Sequence, residues 1–269
     1  DKDKAGYVDL MYKLKLDGGS VFDFSVGGMY RDKKRDSFFN EYTFNSATGV
    51  KDPQYQGEDW NNYDEILFTP LKYGNISDPL NYDASEKIGA GYGMVKYTYR
   101  KWEFIAGVRV EHTNQGYVLK FPTENVNPEG NQKYTDVLPS FHAKYGVHKN
   151  ANLRLSYARS INRPSFFEIV PYSIINEDYK EKGNPDLKHT VADNIDLRYE
   201  YFPKSSEQFM VGMFYKRLQN PIEYGLLNEG QDTYYKPMNF GDATNLGVEV
   251  DIMKYFNWFG IKANYTYTH

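Results

Sequence analysis

Phe259-Gly260-Ile261-Lys262-Ala263-Asn264-Tyr265-Thr266-Tyr267 sets apolar or aromatic side chains on every odd position and small or polar ones on every even position. A period of two is the mark of a strand whose faces meet different surroundings. Working backward, Leu246, Val248, Val250 and Ile252 oppose Gly247, Glu249 and Asp251, and Ile195, Leu197, Tyr199 and Tyr201 oppose Asn194, Asp196, Arg198 and Glu200. Trp102, Phe104, Ala106, Val108 and Val110 likewise oppose Glu103, Ile105, Gly107, Arg109 and Glu111, and Val8 to Leu16 alternate with Asp9, Met11, Lys13 and Lys15. One face of such a sheet is too charged to be a protein core. Ladders this long, repeated about ten times with Tyr and Trp toward strand ends, suit a membrane-spanning barrel: lipid takes the apolar face and the lumen takes the charges.

Composition agrees with that reading. The 269 residues are 17% aromatic, with 26 Tyr, yet the mean hydropathy is −0.72. An exterior with aromatic girdles around a wet lumen and wet loops reconciles the two. No run approaches the ~20 consecutive apolar residues of a transmembrane helix, which says nothing against a barrel. Cysteine is absent, which removes disulfides, thiolate metal sites and cysteine nucleophiles. A net charge of −4 without a basic block gives a nucleic-acid partner no electrostatic support.

Connections alternate in length. Short turns fall at Asp17-Gly18-Gly19, Arg100-Lys101, His148-Lys149-Asn150, Phe202-Pro203-Lys204 and Phe256-Asn257, and long connections at 36–85, 118–133, 163–188 and 219–243. In an up-and-down sheet alternate connections share a rim, so the short turns define the periplasmic end and the long loops the extracellular end. The expected fold is all-β, an antiparallel up-and-down transmembrane barrel segment with strands at 5–16, 20–35, 86–100, 102–117, 134–148, 151–162, 189–202, 206–219, 239–255 and 258–269. Gly89, Gly91 and Gly93 mark 86–100 as a place where the phase slips at a bulge. The 163–188 loop, rich in Phe166, Phe167, Ile169, Val170 and Tyr172, is expected to fold over itself or to plug inward. Residues 1–269 are read as one partial barrel domain. The start at Asp1-Lys2-Asp3-Lys4 has no signal-peptide pattern and His269 falls within a strand by pattern, so a piece of a longer protein with two open edge strands is expected.

Particular words in the chain carry a family resemblance. Val137-Leu138-Pro139-Ser140, then Leu153-Arg154-Leu155-Ser156-Tyr157-Ala158-Arg159-Ser160-Ile161-Asn162-Arg163-Pro164-Ser165-Phe166, then Gly183-Asn184-Pro185-Asp186-Leu187-Lys188, followed by Asp193 to Tyr201 and Asn245-Leu246-Gly247-Val248-Glu249, resemble the barrel of a TonB-dependent outer-membrane receptor, most of all those of Bacteroidetes-type bacteria. The resemblance implies a location in the outer membrane and a barrel of about 22 strands around an N-terminal plug, energised through a box bound by TonB. Neither plug nor TonB box is recognisable here, so a middle segment of a receptor importing an iron chelate, a sugar or a peptide is implied. Its partners are lipid, TonB, the small solute, and a surface lipoprotein or other outer-membrane proteins. Two other readings stay open: a passive porin-like channel, and a structural or adhesive barrel within an outer-membrane assembly.

Ligand contacts are sought at the loop end. Trp60, Tyr63 and Tyr73 beside Asp59 and Asp64 form one candidate, an aromatic platform with carboxylates; the same groups also suit packing within the loop. Arg159 and Arg163 with Phe166, Phe167, Tyr172 and Tyr179 form a second, where two guanidinium groups face an anion or simply close a strand end. The five His (112, 142, 148, 189 and 269) lack metal-ligand spacing, and no catalytic constellation or cofactor motif stands out. Neither an enzyme nor a metal or cofactor protein is expected.

Overall fold

A computed structural model describes residues 1–39, 44–46, 68–70, 80–122, 126–175, 179–229 and 232–269. Its elements are β1 (Lys2–Lys15), β2 (Val21–Ser37), β3 (Phe44–Ser46), β4 (Phe68–Pro70), β5 (Tyr82–Tyr99), β6 (Trp102–Leu119), β7 (Glu129–His148), β8 (Ala151–Asn162), α1 (Phe166–Ile169), β9 (Ser173–Ile175), β10 (Lys180–Lys182), β11 (Thr190–Tyr201), β12 (Gln208–Gln219), β13 (Ile222–Glu229), β14 (Asp232–Asn239), β15 (Asp242–Tyr255) and β16 (Gly260–Thr268). Ten long strands form one antiparallel sheet in the order β1-β2-β5-β6-β7-β8-β11-β12-β15-β16. Every step in that order is a hairpin or a looped-out hairpin, as the alternation of short and long connections requires. Among the described residues no ladder joins β1 to β16, and both strands are exposed along nearly their whole length.

Register shows how the two faces are made. One hydrogen-bonded row runs Leu14, Phe22, Tyr97, Phe104, Ala143, Leu155, Leu197, Met213, Val248 and Tyr267 across all ten strands. Two residues further along, Tyr12, Phe24, Val95, Ala106, Phe141, Tyr157, Ile195, Tyr215 and Leu246 repeat it. Every member of both rows is apolar or aromatic, because a period of two held in register over ten strands adds up to a continuous outer surface. The opposite face carries Asp9, Lys13, Lys15, Glu103, Arg109, Glu111, Lys144, Arg154, Asp196, Arg198, Glu200, Glu249 and Asp251. Cross-strand pairs such as Lys96–Glu103 at 2.8 Å and Arg154–Glu200 at 2.7 Å neutralise it locally.

The rows also climb. Leu14 sits one residue from the end of β1, whereas Val248 in the same row lies seven residues from the end of β15. That stagger is the shear by which a sheet closes into a barrel. Outward residues from Trp102 to Val110 cover about 26 Å of strand, or about 20 Å after a tilt of about 40°, close to the roughly 25 Å apolar band of an outer-membrane barrel. At the short-turn rim the aromatic girdle is dense: Trp102 lies 4.4 Å from Tyr145 and 5.3 Å from Phe104, and Phe259 lies 4.7 Å from Phe256 and 4.8 Å from Trp258.

The boundaries differ from expectation mainly at the long-loop end. β5 starts at Tyr82 instead of 86 and β7 at Glu129 instead of 134, which shortens the 118–133 connection. Above the membrane the alternation lapses, but the backbone ladder does not. The slip expected at Gly89-Gly93 is absent, since β5 stays in register with β2 and β6 throughout. Glycine removes side chains from that stretch, not hydrogen bonds. The register shift lies instead in β7, between Gly146 and His148.

If the apolar rows face lipid, Arg at Val108 in the full-length protein costs roughly 2–4 kcal/mol of folding stability in bilayers, while Arg at Ser140 on the lumenal face costs under about 1 kcal/mol. Equal losses in denaturant titrations of the two variants would contradict the face assignment.

Candidate functional site

A proline decides where the wall gives way. β7 pairs with β6 up to Val118↔Glu129, but with β8 only as far as Ser140↔Ala158. The next β7 residue is Pro139, which has no N–H to donate. Above it Arg159–Asn162 pair only with β11, and the chain leaving β8 crosses the inner face of β7.

The crossing is tied down at both ends. Arg163 donates from Nε to Thr113 Oγ1 at 3.1 Å and from Nη2 to Glu111, which also accepts from Arg109 Nε at 2.5 Å. Gln115 Nε2 donates to the Pro164 carbonyl at 2.8 Å, and Gln132 Nε2 to the Pro185 carbonyl at 2.8 Å. His189 Nε2 lies 2.8 Å from Asp136 Oδ1, with its ring stacked 4.0 Å from Tyr134. Glu111, Thr113, Gln115, Gln132, Tyr134 and Asp136 are all lumenal by register, so the described parts of 163–189, residues 163–175 and 179–189, form a strap laid on the inside of the wall.

Between those anchors lies an apolar core. Ser165 caps α1 by accepting from Glu168 N, while Glu168 accepts from Ser165 N at 2.6 Å, a reciprocal capping box. One helical turn then drives Phe166 and Ile169 against Tyr82, Ala84 and Tyr117, with Val170 and Leu187 wholly buried beside them. The strap returns past Gly183, where a Cβ would overlap the Val170 carbonyl oxygen. Only glycine allows that approach. Asn184 then accepts from Asp186 N at 3.2 Å and donates to the Pro237 carbonyl at 2.9 Å.

That last bond joins two loops. β13 and β14 form a hairpin within the 219–243 connection, and β14 pairs in parallel with β10, giving a small sheet in the order β13-β14-β10-β9. Tyr235 lies 5.0 Å from Tyr224 and 5.7 Å from Tyr179, and Leu226 beside them is 68% exposed. Burial, with Glu168 and Glu181 nearby, pushes the Tyr224 phenol up to about 12. Burial likewise raises Tyr172, whose hydroxyl donates to Glu181 at 2.5 Å.

The sequence candidates are distributed unequally. Arg159 lies on the outer face, where it grips Asp193 through two bonds of 2.9 and 3.0 Å and Tyr157 donates to the same carboxylate. Arg163 lies inside, so the wall separates the two guanidinium groups. Phe166 is buried beneath Lys33 and Arg35, at 5.3 and 5.5 Å from its ring, while Phe167 packs at a tilt 4.3 Å from the buried Tyr172. Trp60, Tyr63 and Tyr73 lie outside the described residues. The sequence reading passed over two signals: the Ser165-x-x-Glu168 capping box, and the alternation of Tyr224, Leu226, Thr233 and Tyr235 in the hairpin.

A tilted antiparallel wall with a lipid face, a charged lumen and loops gathered at one rim defines a transmembrane barrel of the outer-membrane type. The chain belongs to the outer membrane protein beta-barrel family, whose model matches residues 7–269. Among solved structures it is similar to the hemophore receptor HasR of Serratia marcescens in complex with its hemophore HasA and heme, at 11% identity and TM-score 0.67 over 99% of this chain and 41% of that one. It is also similar to two siderophore receptors of Acinetobacter baumannii: PiuA (15%, TM-score 0.67, 99% and 38% of the two chains) and PirA (14%, 0.59, 99% and 36%). At such identities the likeness is one of fold, and the chain spans 36–41% of the length of these structures. No curated protein matches it in sequence.

Because Gly183 faces a backbone oxygen, Gly183→Ala forces about 1–3 kcal/mol of overpacking into the strap. Limited proteolysis within 163–189 should speed up roughly 5- to 150-fold, with Gly6→Ala, which meets nothing within 4 Å, as a silent control.

Proposed function

We propose that this chain is the wall of a TonB-dependent outer-membrane receptor of the Bacteroidetes type that imports a scarce solute: an iron chelate, a sugar or a peptide. In this reading a plug and a TonB box come from sequence outside these residues, and TonB, the solute, outer-membrane lipid and a surface lipoprotein or neighbouring outer-membrane protein are the partners. The observation that carries it is the strap. A passive channel gains from an open lumen, whereas this chain commits a buried core, a glycine with no tolerance for a side chain and five polar anchors to hold 163–189 across the inner wall. Such a strap narrows the entry and presents recognition surface above it. Arg163, Phe166 and Tyr172, buried or paired, serve the reading by fixing the strap, Phe167 by packing on Tyr172, and Arg159 by bracing β8 against β11. Trp60, Tyr63 and Tyr73 are the proposed solute contacts.

The test uses the full-length protein in cells and in planar bilayers. Uptake that stops when TonB or the proton-motive force is removed, with no steady current through the purified protein, is expected; TonB-independent uptake with open-channel current would establish a passive channel instead. Topology is checked separately with an impermeant amine reagent. Lys188 should label in intact cells, whereas Lys149 and Lys204 should label only after the outer membrane is opened.

A further inference from the structure

We infer that the aromatic face of the β9-β10-β14-β13 sheet is a binding site for a small, uncharged, ring-bearing solute. Directly opposed residues share a face, and the register sets Leu226, Tyr235 and Glu181 side by side. Tyr179, Leu226, Thr233 and Tyr235 line a concavity of about 550 Å³, within the size range of small-molecule sites. Two of its walls meet at an angle, Tyr179 standing edge-on to Tyr235 at 67°, while Tyr224, nearly parallel to Tyr235 at 20°, backs that ring. A corner of flat and upright rings receives another ring by offset stacking on one wall and edge contact on the other.

Exposure argues that the corner has a use. Leu226 and Tyr235 of the hairpin and Tyr179 beside β10 are 68%, 37% and 45% exposed, and contiguous apolar surface of that kind marks binding. Charge narrows the class of ligand. Glu181 shares this face, Glu168 and Glu181 are both close enough to Tyr224 to raise its phenol, and neither forms an ion pair among the described residues. Lys180 and Lys182 belong to the other face, 5.8 and 3.5 Å from the Tyr234 ring. An anion is therefore repelled from the aromatic face, while an uncharged ring is not. The site is also composite, since Tyr179 comes from the 163–188 connection and the other three residues from 219–243.

This inference rests on the receptor reading only for the direction in which the site faces, so binding is measured apart from uptake. The full-length protein in detergent is examined by saturation-transfer NMR with 4-nitrophenyl glucopyranoside, an uncharged aryl ring joined to a pyranose, and with 4-nitrophenyl phosphate, the same aryl ring carrying charge. Saturation of the glucoside is expected to fall at least fivefold in Leu226→Ser and Tyr235→Ala, to persist in Tyr235→Phe and to be unchanged in Lys204→Ala at the opposite rim. Stronger transfer to the aryl or to the pyranose protons tells which ring occupies the corner. No transfer in the unaltered protein, transfer undiminished in Leu226→Ser, or equal transfer to the phosphate would overturn the proposal. Binding without energised uptake would count against the receptor reading alone, and uptake without binding against this site alone.

Discussion

A peptide group inside a bilayer has no water to bond, so every N–H and C=O that crosses must find its partner in protein. The ten-stranded ladder answers that demand, and the rest of the structure follows from where the ladder is kept and where it is released. Within the apolar band it is continuous from β1 to β16, with outward rows that hold no charge. Charges gather inside, where cross-strand pairs between half-exposed groups contribute little stability each but keep the wall locally neutral. The first outward charges appear at Arg159, Asp193 and Arg217, paired with one another or with Asp242, where the strands leave the apolar band.

Release begins at Pro139. A missing donor would be costly at the bilayer centre, but at the upper part of the wall it frees the β8 end to turn inward. The strap that results is the chain's only sizeable apolar core among the described residues, and it is built on the lumenal face. The inner wall supplies the polar anchors, the capping box starts α1, and the close approach at Gly183 lets the strap return to β11. The 219–243 hairpin then borrows an edge from the strap through β10, so two separate connections become one body at the loop rim.

The wall was legible in the sequence because its information is local: a period of two, short turns rich in Gly, Pro and Asn, and aromatic residues near the turn rim. Strand ends at the loop rim were less legible, since Tyr82, Ala84 and Glu86 are lumenal residues buried beneath a strap from a distant part of the chain. The two arginines illustrate the limit. Arg159 and Arg163 are four residues apart and look like one cluster, yet the strand ends at Asn162 and with it the alternation that fixes a side. Only Glu111 and Thr113, some fifty residues earlier, say that Arg163 belongs inside. Likewise, the hairpin's own alternation was present in the sequence, but its parallel partner at Lys180–Lys182 was not foreseeable from local pattern.

The central claim is that 163–189 lies on the inner wall, held there by Arg163 on Glu111. A double-mutant cycle with Arg163→Ala, Glu111→Ala and the double variant, read as the free energy of opening the strap by hydrogen exchange, measures that contact directly. With side chains only 18% and 11% exposed, the account predicts a coupling of about 1.5–3 kcal/mol. Strictly additive effects, with Arg163→Ala costing the same whether or not Glu111 is present, would contradict it.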